Sequence, residues 1–164
     1  KKVVVNVQGF DEVAMHKNFN IYKDIAVQLL KNAIVHGIET PNERIAKGKK
    51  ETGIVNLKIK IEGANLKLGI EDDGQGINFN GIRQKAVELG YVSATEAETL
   101  TNKQLYTIMI RKSGLSTAKS HSEDAGRGVG MSLIYNLVQS AEGKLEIDSR
   151  PGKYTRMAVG FPLV

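Results

Sequence analysis

The sequence predicts an α/β domain, and three observations carry that prediction. Segments of strict apolar alternation, the mark of half-buried strands, stand beside segments whose apolar residues recur every three to four positions, as in amphipathic helices. Gly, Pro, Asn and Ser/Thr clusters punctuate the chain where one pattern gives way to the other. At 164 residues the chain is the size of one domain, able to bury a core without disulfides or a structural metal.

The elements follow in order. Val3 to Val7 is a short β-branched run that reads as an edge strand. From Asn20, the residues Ile21, Ile25, Leu29, Leu30, Ala33 and Ile34 recur at helical spacing, with Asn20 as the expected N-cap and Gly37 as the stop. Thr40, Pro41 and Glu43 supply the cap, first-turn proline and capping-box acid of a short helical turn, and a basic loop leads to Gly53. Val55, Leu57, Ile59 and Ile61 then alternate with Asn56, Lys58, Lys60 and Glu62. After a tight turn at Gly63, Ala64 and Asn65, a second alternating strand carries Leu66, Leu68 and Ile70 inward, so the pair reads as a hairpin with one wet face. Ile82, Lys85, Ala86 and Leu89 predict a helix ending at Gly90, and the pairs Ser93/Glu96 and Thr101/Gln104 predict two more helix starts. Residues 112 to 127 lack periodicity and read as a long mobile loop of the functional kind. A helix follows with Val129, Leu133, Ile134, Leu137, Val138 and Ala141 on its apolar face and Gly143 at its end. Lys144 to Asp148 and Tyr154 to Phe161 close the chain as two strands around a turn with Pro151 and Gly152.

Composition excludes several classes. No apolar run approaches the roughly 18 residues of a membrane span, and no contact of this domain with a membrane is expected. There are no cysteines, which removes disulfide frameworks, cysteine zinc sites and thiol nucleophiles and favours the cytoplasm. The net charge of +5 admits a nucleic-acid partner, but only Lys47, Lys49 and Lys50 cluster and no aromatics interleave with them. A solvated surface is the reading preferred, with no nucleic acid. The chain opens on Lys1 with no signal-peptide pattern, and it is expected to be a single domain, 1–164, of a longer protein.

Three clusters carry chemistry. Gly126, Arg127, Gly128, Val129, Gly130 and Met131 stand between the long loop and a helix, where glycines let backbone amides approach an anion and the helix start carries partial positive charge. Spacing alone leaves a phosphate cradle and a plain flexible loop equally open. The third glycine of a dinucleotide fingerprint is absent at Met131, and no P-loop pattern occurs, so both common nucleotide folds are disfavoured. Asp72, Gly74 and Gly76 stand at a strand end, where a carboxylate can accept from an exocyclic amine and glycines admit a flat ring, or where they simply form a turn. Gln28, Asn32 and His36 recur one turn apart on one helix face; an asparagine carbonyl suits magnesium, though such a stripe is also the ordinary wet side of a helix.

Taken together, these residues resemble the GHKL ATPase superfamily, and within it the chemotaxis-type, CheA-like histidine kinases. Asn32 to Glu39 resembles the N box, Asp72 to Gly76 the G1 box, Gly126 to Met131 the G2 box and Ser113 to Ala118 the lid, in the family's order over nearly the whole chain. The resemblance implies a Bergerat-type α/β fold, a two-layer sandwich with helices on one face of a mixed, largely antiparallel sheet. It implies ATP and Mg2+ as ligands. Asn32 would coordinate the magnesium, Asp72 would accept from the adenine amine, and Gly74 and Gly76 would shape the base pocket. His36 would face the phosphates, Gly126 to Met131 would cradle them, and Thr155 matches a position near the adenine. It also implies transfer of the γ-phosphoryl to a histidine on a dimerisation or phosphotransfer domain, with a response regulator downstream. An ATP-gated module of the gyrase or chaperone kind, or a nucleotide-binding scaffold without kinase activity, is the alternative.

Departures from the family pattern sharpen the expectation. Gln28 stands where chemotaxis members usually have His and others have Glu or Asn, and glutamine is no general base at neutral pH. The lid segment has Arg111, Ser113 and Leu115 in place of the usual aromatic and proline residues, and Ser132 replaces an acid common after the G2 box. The three histidines are His16, His36 and His121, none of them on an exposed dimerisation helix, so the acceptor is expected outside this sequence.

Overall fold

A computed structural model describes residues 1–112 and 130–163. The chain divides into two compact units, Lys1–Ile77 with Asn136–Val164, and Asn78–Tyr135.

The first unit is built on a five-stranded sheet: β1 (Val3–Gln8), β2 (Gly53–Glu62), β3 (Asn65–Asp72), β4 (Lys144–Arg150) and β5 (Tyr154–Pro162), in the order β1-β2-β3-β5-β4. β1 runs parallel to β2 and the other neighbours are antiparallel, so the sheet is mixed and largely antiparallel, and β1 is an edge. A parallel pair cannot be joined by a tight turn. The connection here holds α1 (Phe10–Val13), α2 (Phe19–Asn32), a single π turn (Ala33–Gly37) and α3 (Pro41–Ala46). β2 and β3 form the expected hairpin, with Glu62 paired to Asn65 across Gly63 and Ala64. Val55, Leu57 and Ile59 of β2, Leu66, Leu68 and Ile70 of β3, and Val159 and Phe161 of β5 are buried. Against them α2 brings Tyr22, Ile25, Ala26 and Leu29, with the Tyr22 and Phe161 rings 4.8 Å apart.

Several boundaries move. α2 begins at Phe19 with Asn18 as its cap, because the amides of Ile21 and Tyr22 are taken by the Asn18 carbonyl, so Asn20 lies inside the helix. Ile61, expected inward, is 47% exposed near the hairpin tip, where the alternation outruns the core. α3 has the full capping box of Thr40 and Glu43.

The second unit holds α4 (Phe79–Glu88), α5 (Ala94–Thr99), α6 (Asn102–Arg111) and the start of α7 (Gly130–Ser140), which ends in the first unit. Both predicted capping boxes are present, Ser93 with Glu96 and Thr101 with Gln104. Phe79, Ile82, Ala86, Ala97 and Leu105 are buried, with Phe79 edge-on to Tyr106 at 5.3 Å between ring centroids, and Arg83 ties α4 to the carbonyls of Ala97 and Leu100. In α7, Ile134 and Val138 are buried while Leu133, expected on the apolar face, is 42% exposed.

Candidate functional site

Sheet register decides where the expected site residues fall. Val55, Asp72, Thr155 and Ser149 lie in one cross-strand row, and alternation along β3 points that row to the buried face. Asp72 and Thr155 are therefore buried polar residues at the end of an apolar surface. Ser149 Oγ contacts Thr155 Oγ1 at 3.3 Å, donates to the Tyr154 carbonyl and accepts from the Ile77 amide at 2.9 Å. It thereby anchors the segment that leaves β3 after Gly76.

The chain around Asp72 turns sharply. Gly74 N–H donates to Asp72 Oδ1 at 2.9 Å. A Cβ on Gly74 would lie 2.1 Å from the Gly37 carbonyl oxygen, and Gly37 itself packs its Cα face on the Asp72 carboxylate. Gly76 has φ +71° and would drive a side chain into the Arg150 carbonyl, so both glycines of the motif are required by close backbone approach.

The π turn ends the Asn32 helix against this loop. Ile38 N–H reaches back to the Ala33 carbonyl at 2.8 Å, and the final carbonyls of the turn find partners outside the helix. Gln75 supplies both: its Nε2 donates to the His36 carbonyl at 2.7 Å and its amide to the Gly37 carbonyl at 2.9 Å. The Gln75 carbonyl accepts from Gly152 N–H at 2.7 Å, which links the same loop to the β4–β5 turn. Gln28, Asn32 and His36 are all half-buried. Burial, with the charges of Lys1 and Lys31, holds the His36 imidazole below its usual range, so it is neutral at pH 7, and among the described residues its buried Nδ1 has no hydrogen-bond partner.

The electrostatics divide two carboxylates. Burial raises Asp72 to about 6; the Gly74 amide and Lys49 act downward, Asp73 and Glu39 upward. Glu39 is buried as well, yet hydrogen bonds from Lys49 and from its own amide, with the charges of Lys49 and Lys47, outweigh burial and leave it below the usual range. Arg44, 1% exposed at its side chain, saturates the region: Nη1 meets Glu39 Oε2 at 3.0 Å, Nη2 meets Asp73 Oδ2 at 2.8 Å, and Nε donates to the Lys50 carbonyl at 2.7 Å. Lys49 donates to Glu39 Oε1 at 3.0 Å and to the carbonyls of Asp73 and Gly74 at 2.9 and 2.6 Å. The basic loop is thus not simply a solvated surface. Lys47 is half-exposed, but Lys49 is only 16% exposed and bonded into the loop beside Asp72.

The structure brings Asp72, Gly74, Gly76 and Thr155 together and carries the π turn with His36 onto them. Gly130 and Met131 open α7; Gly126, Arg127, Gly128, Val129 and the lid residues Ser113 to Ala118 lie outside the described residues. Sequence reasoning missed Arg44, Lys49, Gln75 and Ser149. The one signal available was a positive charge in a run so rich in turn residues that some of its lysines had to cover polar backbone.

A buried carboxylate beside glycine-opened backbone, with the helix of Asn32 running into the turn that packs on it, stands at one end of a mixed sheet layered by helices. Among the described residues no cluster of three or more His, Cys, Asp or Glu side chains could hold a metal by itself. Asn32, half-buried on the helix that runs into the π turn, carries a hard oxygen donor of the kind Mg2+ takes singly beside substrate phosphates and its own waters. The chain belongs to the family of histidine kinase-, DNA gyrase B- and HSP90-like ATPases, whose model matches residues 21–164. It is 36% identical to chemotaxis protein CheA of Bacillus subtilis over 99% of this chain and 24% of that protein. It is also 36% identical to sensor histidine kinase CheAY of Helicobacter pylori, over 85% of this chain and 17% of that protein. The chain therefore spans less than a quarter of the length of these curated relatives. In fold it is similar to the histidine kinase domain of the Erythrobacter litoralis EL346 blue-light activated histidine kinase, at TM-score 0.54 and 16% identity over 98% of this chain and 55% of that one.

Proposed function

We propose that this chain is the ATP-binding catalytic domain, residues 1–164, of a bacterial two-component histidine kinase, cytoplasmic in location, and that it delivers the γ-phosphoryl group to a histidine on another domain. The observation that carries the site is the Asp72 carboxylate, buried at the end of β3, bonded to the Gly74 amide and faced by Gly37 of the helix that bears Asn32 and His36. Asp72 accepts from the adenine amine, Thr155 stands beside it in the same cross-strand row, and Gly74 and Gly76 shape the base pocket by letting the loop backbone close on the Gly37 and Arg150 carbonyls. Asn32 offers its carbonyl to Mg2+, which when bound neutralises charge on the phosphates. His36, neutral, donates or accepts at the phosphate side without adding charge, and the Gly126 to Met131 motif is assigned to the phosphates from its resemblance to the G2 box.

Phosphoryl transfer needs positioning and charge neutralisation more than a strong base. Gln28 can orient a nucleophile but cannot deprotonate water at neutral pH, which suits a transferase better than a hydrolase. The partner is a histidine-containing dimerisation or phosphotransfer domain, with a response regulator after it. No described helix is long and apolar enough to cross a membrane.

Incubation with γ-labelled ATP and Mg2+ should leave this chain unlabelled and hydrolysis slow. Adding the matching phosphoacceptor domain should place an acid-labile, base-stable phosphohistidine on that domain, and EDTA should abolish the transfer. Fast hydrolysis by the chain alone, or label on the chain itself, would contradict the proposal.

A further inference from the structure

Lys49 makes three bonds, and two of them go to consecutive carbonyls, those of Asp73 and Gly74. A peptide group is planar and trans, so holding its carbonyl fixes the direction of its N–H. The Asp73–Gly74 peptide has its carbonyl on Lys49 and its N–H on Asp72 Oδ1. The next peptide, Gly74–Gln75, has its carbonyl on Lys49 and its N–H on the Gly37 carbonyl. Arg44 Nη1 also reaches the Asp73 carbonyl, at 3.2 Å, so Lys49 shares the first peptide with Arg44 and holds the second itself, and the two amides so set are aimed one at the carboxylate and one at the π turn. The charges about Asp72 are Asp73 on its own loop, Glu39 at the end of the π turn, Arg44 on α3 and Lys49. Arg44 is committed to the carboxylates of Glu39 and Asp73 and to the carbonyls of Lys50 and Asp73, and Lys49 is the cation whose charge acts downward on Asp72.

Resting on the reading of Asp72 as the adenine acceptor, we infer that Lys49 is a positioning residue for adenine recognition. With Arg44 sharing the first, it locks the two peptides after Asp72 in the orientation that presents the carboxylate, and its charge offsets the negative charges gathered there. Asp72 is held at about 6, close enough to neutrality that losing one nearby cation moves its ionisation into the working range. A protonated acid accepts more weakly and turns one oxygen into a donor facing the amine.

The test compares the parent chain with Lys49→Met and Lys49→Arg by two measurements: carboxyl NMR titration of Asp72 without nucleotide, and calorimetric ADP affinity across pH. In Lys49→Met the Asp72 midpoint should rise by about one unit, the scale of losing one close, partly screened charge. ADP binding should weaken more near about pH 6 than near about pH 8, since the carboxylate is restored as pH rises. Lys49→Arg should keep both properties near the parent. An unmoved Asp72 midpoint, or an affinity loss equal at both pH values, overturns the inference. A parent chain that binds no ADP overturns the adenine reading beneath it, and the nucleotide-free titration tells these two failures apart. Should Lys49→Met not fold, Lys49→Gln keeps a donor without the charge and is read by the same criteria.

Discussion

The clamp around Glu39 and the pocket around Asp72 are made of the same materials, a buried carboxylate with cations and backbone amides nearby, and they end in opposite states. Glu39 takes Arg44 on one oxygen and Lys49 and Lys47 on the other, and is held ionised. Asp72 takes the Gly74 amide on one oxygen, is bonded to no cation among the described residues, and is pushed up to about 6. Burial with full pairing makes a structural fixture, whereas burial with partial pairing leaves a group ready for a ligand's donor. The two regions share Asp73, Lys49 and Gly74, so the fixture also shapes the pocket.

The largest expected effect comes from breaking the clamp. Arg44→Met strips the Glu39 and Asp73 carboxylates and the Lys50 carbonyl of their shared donor. Removing one partner of a buried ion pair costs about 3–5 kcal/mol, because the remaining charge stays desolvated. Urea denaturation should show that loss in midpoint at constant slope. A cost below about 1 kcal/mol, the scale of an exposed pair, would mean that Lys49 and Lys47 already suffice for Glu39.

Asp72→Asn should do the reverse to stability. The folded-state value of about 6 lies above the ordinary 3.8, so the folded form is favoured below about pH 4 and loses stability as pH rises through about 6. Asparagine escapes that loss and still accepts from Gly74. The nucleotide-free variant should therefore be more stable than the parent at pH 7 by roughly 1–3 kcal/mol, with the gain vanishing near pH 4. Its ATP affinity should fall about tenfold or more, since a charged acceptor is exchanged for a group that can present a donor to the amine. A variant that is weaker in both respects would place Asp72 among the structural carboxylates.

Much of the frame was legible because it rests on local periodicity. The β2–β3 hairpin, the three capping boxes at Thr40, Ser93 and Thr101 and the edge position of β1 all follow from residue spacing. Asp72, Gly74 and Gly76 stood out as a carboxylate among glycines at a strand end. Lys49 and Arg44 did not, because their partners are carbonyls and carboxylates from 5 to 29 positions away, set by the sheet's order rather than by neighbours in sequence. The π turn was also unreadable, since Gln28, Asn32 and His36 keep a plain helical spacing through it. Its cause is tertiary, in that Gln75 takes up the carbonyls at its end.

The smallest effect should come from a carboxylate that looks, by charge alone, as strongly held as Glu39. Glu62 near the β2–β3 turn pairs with Lys60 and, at 2.6 Å, with Lys67, and their hydrogen bonds pull it down to about 2. Its lowered value means that any stability it adds is present above its ordinary 4.5 and lost as pH falls through about 2. But Glu62 is 40% exposed at its side chain, and water and salt compete for the same lysines. Opposed charges there gain little from the fold that they did not already have in the unfolded chain. Glu62→Gln should accordingly leave the urea midpoint at physiological salt within error of the parent, and the acid limb of a stability–pH curve unchanged. The contrast with Arg44→Met then sets the loss of an exposed, doubly paired carboxylate against the loss of a buried cation shared by two carboxylates. A Glu62→Gln loss approaching that of Arg44→Met would show that charge pairing, and not the exclusion of water, is what gives the Glu39 clamp its strength.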